Sequence, residues 1–166
     1  PAGMVMNAGW IEHTAGDFYF YREGFTEAVG RVAAAIDTER MQIGDALGVV
    51  TRPMLELSRD MGFIRDADIG QGNIADAWRR SELSASIRSP KTLNDRYIHE
   101  DVGFGLVPMA AWGTFVGVPT PTIDAIIHLA SLAVGVPFRE NGLTRERMGL
   151  LEVQPADLHR FLWEGA

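Results

Sequence analysis

The 166-residue sequence predicts an all-α fold, and three observations carry that expectation. Between 27 and 47 the apolar residues Val29, Val32, Ala33, Ile36, Ile43 and Leu47 recur at three- and four-residue steps, the period of one face of an α-helix. Two strongly apolar runs, 106–116 and 121–134, each end on a glycine, Gly117 and Gly135, and each carries its proline early enough to sit in a first turn. Short alternating runs of the kind that make half-buried strands are scarce.

The elements follow in order. Residues 1–24 are punctuated by Gly3, Gly9, Gly16 and Gly24, and their helix period is weak; Met4, Met6, Trp10 and Ile11 can begin a helix, while 18–21 suits a short extended segment. Thr26 is placed to cap the helix over 27–47, with Glu39 and Arg40 expected on faces away from the core, and Gly48 ends it. Thr51-Arg52-Pro53 restarts a shorter helix from 54 to about 61, stopped by Gly62. The polar stretch 66–73 contains Gly70-Gln71-Gly72, which lacks the preceding strand and third glycine of a dinucleotide-binding turn and reads as a loop. A helix over 74–84 with Trp78 inward is expected next, then a polar connection through Ser89-Pro90. A glycine-broken bend at Gly103 and Gly105 should precede the apolar helix over 106–116, where Pro108 is tolerable only in the first turn. Thr120 should cap the helix that Pro121 opens. Thr144 should cap a short helix at 145–150, and Gln154-Pro155 should open a last one, from 156 to about 163. With no repeat or low-complexity tract, residues 1–166 read as a single bundle-like or orthogonal helical domain.

Composition narrows the function. A net charge of −7 argues against nucleic acid and anionic membranes, both of which reward basic surfaces. Zero cysteines exclude disulfides and thiolate metal sites and fit a reducing compartment. No apolar run reaches the length of a membrane span, and the N-terminus lacks the order of a signal peptide, so a cytoplasmic protein is expected. The chain opens at Pro1, without Met and already apolar, which reads as a piece of a longer protein.

Chemistry concentrates at Arg96, His99, Glu100 and Asp101. Taken as plain helix, Arg96 and Glu100 form an exposed i,i+4 pair, and spacing alone favours that surface reading. Arg96 and Asp101 would then point about 140° apart, so they can share a site only if the chain bends there or the arginine reaches round. His13 precedes a glycine-containing turn and is a candidate base; His99, His128 and His159 read as surface or partly buried residues. Trp10, Trp78, Trp112, Tyr21 and Met109 read as core, with one or two available to wall a cleft. No metal-ligand spacing and no nucleophile elbow occurs.

Longer motifs change the balance. Arg96-Tyr97-x-x-Glu100-Asp101-Val102, then Gly105-Leu-Val-Pro108, then Gly117-Val-Pro-Thr-Pro121 with Ile123-Asp124, together with Asn7-Ala-Gly-Trp-Ile-Glu12 and Phe20-Tyr-Arg-Glu-Gly24, resemble the helical catalytic domain of the octopine/nopaline (opine) dehydrogenases. The resemblance implies a multi-helix domain like the C-terminal domains of opine and 6-phosphogluconate-type dehydrogenases, with an N-terminal Rossmann domain absent from this sequence. It implies Asp101 as the catalytic aspartate that pairs with a histidine lying before Pro1, and Arg96 as the arginine that holds a substrate carboxylate. It further implies an L-amino acid and a 2-oxo acid as substrates, NAD or NADP bound mainly by the other domain, and a homodimer built through the apolar helices. Under that reading the isolated chain binds no cofactor or metal of its own and turns nothing over. Two alternatives stand beside it: the helical domain of another two-domain dehydrogenase of the 2-hydroxyacid or ketopantoate type, and a non-catalytic helical dimerisation module.

Overall fold

The computed structural model describes residues 1–69 and 74–164, with the side chain of His159 outside the description; the loop expected at Gly70-Gln71-Gly72 lies outside it as well. The chain is all-α. Among the described residues ten α-helices follow one another: α1 (Ala2–Met6), α2 (Ala8–Thr14), α3 (Glu27–Ala46), α4 (Met54–Asp60), α5 (Ile74–Arg80), α6 (Arg96–Glu100), α7 (Val107–Val116), α8 (Pro121–Val134), α9 (Phe138–Asn141) and α10 (Leu158–Glu164). The extended segment expected at 18–21 is reduced to a single antiparallel bridge between Tyr19 and Arg88.

α3 is the hub, packing against α1, α5, α7 and α8. Its apolar face meets Met4, Ile98, Ile123 and Ile127 in the main core. The expectation for Glu39 and Arg40 needs correction. Glu39 is only 7% exposed and its carboxylate accepts from the backbone N–H groups of Thr122 (2.8 Å) and Ile123 (2.9 Å). A helix surrounded on several sides has no free solvent face in its middle, so its polar side chains meet the ends of neighbouring helices. Here the buried carboxylate satisfies orphan donors in the first turn of α8 and complements that helix's dipole. Thr120 occupies the N-cap position of α8 but makes no side-chain cap bond, and Thr26 behaves the same way at α3.

Asp37, also buried, repeats the device on another side of α3. Its Oδ2 accepts from the N–H of Met54 at the start of α4 (2.8 Å), and its Oδ1 accepts from Arg40 Nε (2.9 Å). Arg40 continues to the Arg52 carbonyl, so it is half-buried and tied down.

The second correction concerns 101–106. No bend breaks the chain at Gly103 and Gly105: the backbone stays helical from Arg96 to Val116, but Asp101–Leu106 is a π turn. Pro108 supplies the reason. In a continuous α-helix its ring would clash with the carbonyl four residues back. In the wider register the Val107 N–H reaches the Val102 carbonyl, and the Gly103 carbonyl is left facing a proline that has no N–H. The Leu143 N–H takes that acceptor instead, at 2.8 Å. Gly142 must be glycine for this contact, because a Cβ there would stand 2.5 Å from the Gly103 oxygen.

Two expected helices are shortened or lost. α5 stops at Arg80 rather than 84, because Ser81 Oγ donates to the Phe63 carbonyl and Ser84 Oγ to the Trp78 carbonyl, and such local bonds compete with helix. Residues 145–149 form turns instead of a helix, and the Arg145 side chain gathers the carbonyls of Leu150 and Val153. That folding-back builds a second apolar cluster, in which Phe115 of α7 packs with Leu150 and Val153.

Glu39→Ala leaves two N–H groups at the start of α8 without a buried partner. Hydrogen bonds to a charged group contribute about 1.5–3 kcal/mol each, so the loss of two should reach about 3–6 kcal/mol. Urea unfolding should show it, with Glu12→Ala on an exposed site changing little.

A cavity along the π turn as candidate functional site

A cavity of about 340 Å³ opens between α3 and the helical rod that carries the π turn. The two walls follow from helix spacing. Ala33, Ile36, Asp37 and Arg40 lie at i, i+3, i+4 and i+7 on α3, and Tyr97, Asp101, Gly105 and Met109 lie at four-residue steps on the rod. Pro1 and the first residues of α1 close one side, and Tyr21 and Trp78, whose rings stack at 4.7 Å, close another.

Asp101 lies on the wall of this cavity, with its side chain half exposed. Its Oδ2 lies 3.7 Å from the backbone nitrogen of Pro1. Burial pulls that terminal ammonium below its ordinary pKa, and the Asp101 charge opposes the shift. Arg96 stands apart. Its side chain is 72% exposed, reaches Glu100 only at 3.9 Å, and lies 5.9 Å from the Tyr97 ring centre. With no bend between them, the rod keeps Arg96 off the cavity wall that Asp101 lines.

The histidines lie elsewhere. His13 and His128 are exposed, His99 contacts Asn94 Oδ1 (2.5 Å) and faces the Phe138 ring, and the side chain of His159 lies outside the described residues. Among the described residues no group of His, Cys, Asp and Glu could hold a metal ion. No helix there is long and apolar enough to cross a membrane. The described residues also make no strand leading through glycines into a helix, so they do not by themselves fit the pyrophosphate of a nicotinamide cofactor.

Of the large residues read as core, Tyr21, Trp78 and Met109 wall the cavity, whereas Trp10 is exposed and stacks on Phe18 at 3.9 Å. Tyr97 and the Asp37–Arg40 pair escaped the sequence reading. Tyr97 was findable, since it lies four residues before Asp101 and so shares its face. The placement of Asp37 and Arg40 depends on which side of α3 each neighbouring helix docks, and no spacing carries that.

The Tyr21 phenol is pushed up to about 12, first by burial and then by the negative potential of Tyr97 and Asp101. A neutral phenol favoured by the fold contributes stability fully below about pH 10, its unfolded pKa, and that contribution is lost as pH rises towards 12. In an absorbance titration at alkaline pH, the last phenolate to form should be that of Tyr21. Tyr21→Phe should remove that late component and reduce the fall in stability between pH 10 and 12.

The family described as NAD/NADP octopine/nopaline dehydrogenase, alpha-helical domain, matches residues 1–134. An opine dehydrogenase from Arthrobacter sp. (strain 1C) is 35% identical over 152 residues, which cover 90% of this chain and 40% of that protein. Protein ocs from Agrobacterium vitis is 35% identical over 68% of this chain and 30% of its own length. Protein ocs from Agrobacterium tumefaciens (strain Ach5) is 32% identical over 79% and 35% respectively. The chain thus spans between 30% and 40% of the length of these curated relatives. All the cavity-lining residues, from Pro1 to Met109, fall within the matched segment, and this chain belongs to the octopine/nopaline dehydrogenase family as its alpha-helical domain.

Proposed function

We propose that this chain is the helical, substrate-handling part of an NAD- or NADP-dependent opine dehydrogenase of the cytoplasm. The intact enzyme would join the amino group of an L-amino acid to a 2-oxo acid, with loss of water, and reduce the resulting imine. A reduced nicotinamide held by a separate Rossmann domain would supply the hydride.

The observation that supports this best is the 3.7 Å between the Pro1 nitrogen and Asp101 Oδ2. In a longer polypeptide that nitrogen is an uncharged amide, Asp101 loses the ammonium beside it, and a residue joined to Pro1 lies within reach of the carboxylate. A histidine there would have one ring N–H held by Asp101, fixing its tautomer and stabilising its charged form. Its other nitrogen is then free to hand a proton to the carbonyl oxygen as water leaves. Tyr21, held neutral on the same wall system, adds a hydroxyl donor near that carboxylate.

Arg96 is assigned to the substrate carboxylate from the rim. Its long pair with Glu100 is weak enough at 3.9 Å and 72% exposure to yield to a planar bidentate contact. A homodimer through the apolar helices fits α8, whose Leu129 and Leu132 are 47% and 69% exposed one turn apart. The alternative of a purely structural module gives no reason for Asp101, which unlike Asp37 has no side-chain partner of its own on the wall, to line a mostly apolar cavity.

Asp101→Asn in the full-length polypeptide should lower kcat by about 10²–10⁴-fold, the usual range for lost acid–base catalysis, while leaving thermal unfolding nearly unchanged. Arg96→Ala should mainly raise KM for the substrate whose carboxylate it holds. Steady-state NAD(P)H oxidation reads both. An Asp101→Asn enzyme with unaltered kcat, or turnover by residues 1–166 alone, would sink this reading.

A further inference from the structure

The polar side chains that line the cavity divide into those already satisfied and those left over. On the α3 wall Asp37 Oδ1 accepts from Arg40 Nε and Nη2 at 2.9 and 2.7 Å, and its Oδ2 accepts from the Met54 N–H, so that pair is complete within the protein. Left over are Asp101, Tyr97 and Tyr21. Among the described residues the Asp101 carboxylate has one ionic contact, the Pro1 nitrogen at 3.7 Å, and a longer polypeptide has no charge there. The Tyr21 side chain makes contacts through its ring alone. The ring stacks on Trp78 with centres 4.7 Å apart and planes 17° from parallel, and it meets Phe20 edge-on at 5.2 Å. A phenol clamped in this way has its hydroxyl aimed by packing, with only two side-chain torsions to fix. The phenol is pushed up to about 12 by burial first, then by Tyr97 and Asp101, so it keeps its proton and lies within the field of that carboxylate. Tyr97 is placed differently. It precedes Asp101 by one turn of the same rod, and a helical side chain leans toward the N-terminus, which carries the Tyr97 hydroxyl away from Asp101.

We propose that Tyr21 is a positioning residue for Asp101, its hydroxyl donating to the carboxylate oxygen that a catalytic histidine leaves unused. The proposal rests on the opine-dehydrogenase reading and adds a member to its proton relay. A carboxylate held by an imidazole through one oxygen can still turn about its own bond, and its second oxygen still needs a donor. A neutral phenol from another wall of the cavity supplies that donor and stops the turning. It also draws off part of the carboxylate charge, which tunes how tightly the histidine keeps its proton.

The test uses the full-length enzyme with pyruvate, NADH or NADPH, and whichever of the common L-amino acids it turns over fastest. Tyr21→Phe keeps the ring and its stack on Trp78 and removes only a hydroxyl that no protein group accepts, so the variant should fold. Its kcat should fall about ten-fold while KM changes less than about three-fold, since ground-state binding is not what the hydroxyl serves. Without that donor Asp101 pulls harder on the imidazolium, so the alkaline limb of the kcat profile should move up by about half a pH unit or more. In an Asp101→Asn background the same substitution should change kcat by less than about two-fold, because residues acting through one another are not additive. An unchanged kcat and pH profile in Tyr21→Phe would overturn the proposal. So would a ten-fold loss that persists undiminished beside Asp101→Asn, which would put Tyr21 on the substrate instead. In either case a low kcat for Asp101→Asn alone leaves the opine chemistry standing, whereas an Asp101→Asn enzyme with full kcat removes both proposals together.

Discussion

Two buried carboxylates on α3 govern how the other helices are placed. Asp37 and Glu39 are two residues apart, so they leave the helix axis about 200° from each other and serve opposite sides. One holds the first N–H of α4, the other the first free N–H groups of α8. Helix ends normally rely on a residue of their own chain segment for this, and α8 has Thr120 in the position to do so. By taking the donors from a distant helix, Glu39 fixes the register between α3 and α8 across 83 residues of sequence. Non-directional apolar packing between α3 and α8 could slide by a turn; a carboxylate seated on two N–H groups cannot without leaving them unpaired. The α3 wall of the cavity is held in place on the Asp37 side by the same kind of bond.

The opposite wall is set by backbone chemistry. Pro108 cannot continue an α-helix through Phe104, and the chain answers by widening its register over Asp101–Leu106 instead of breaking. The freed Gly103 carbonyl then draws in the Gly142–Leu143 segment, which buries Phe138 against the rod. Asp101 sits at the first residue of the widened turn, four residues after Tyr97 and four before Gly105, all on one wall. Local strain relief and the position of the carboxylate are thus consequences of one proline.

This explains which parts were legible in the sequence. The long helices α3 and α8 and the all-α class follow from a 3.6-residue period and glycine stops, because those signals are local and strong. Gly48, Gly62, Gly117 and Gly135 all adopt the left-handed backbone that a stop requires. The π turn was not legible, since the same Gly103, Gly105 and Pro108 that read as a bend are equally compatible with a wider helix once Leu143 supplies the missing donor. Glu39 looked like a solvated charge because nothing in its own helix reveals that another helix begins against it. Asp101 was singled out through a motif likeness, and it lies on the wall of the cavity. The placement of Arg96 was not readable, as it turns on whether the rod bends between the two residues.

The remaining constraint is solvent. Asp101 keeps half of its side-chain surface exposed, and a carboxylate in that state is strongly screened by water. Its pull on an imidazole grows as water is displaced from around it, and an imine also survives only where water is kept out. The helical walls described here exclude water on the α3 side, where Phe25, Ile36 and Trp78 stand, but the Asp101 edge stays open. On the reading proposed above, that edge is where the second domain and the residue preceding Pro1 close over the substrates. The exposed Arg96 then lies beside the closing seam, reachable by a carboxylate that only arrives with the partner domain in place. Under that reading, a mostly apolar interior and a charged, half-open rim fit one half of a cleft that another domain would complete.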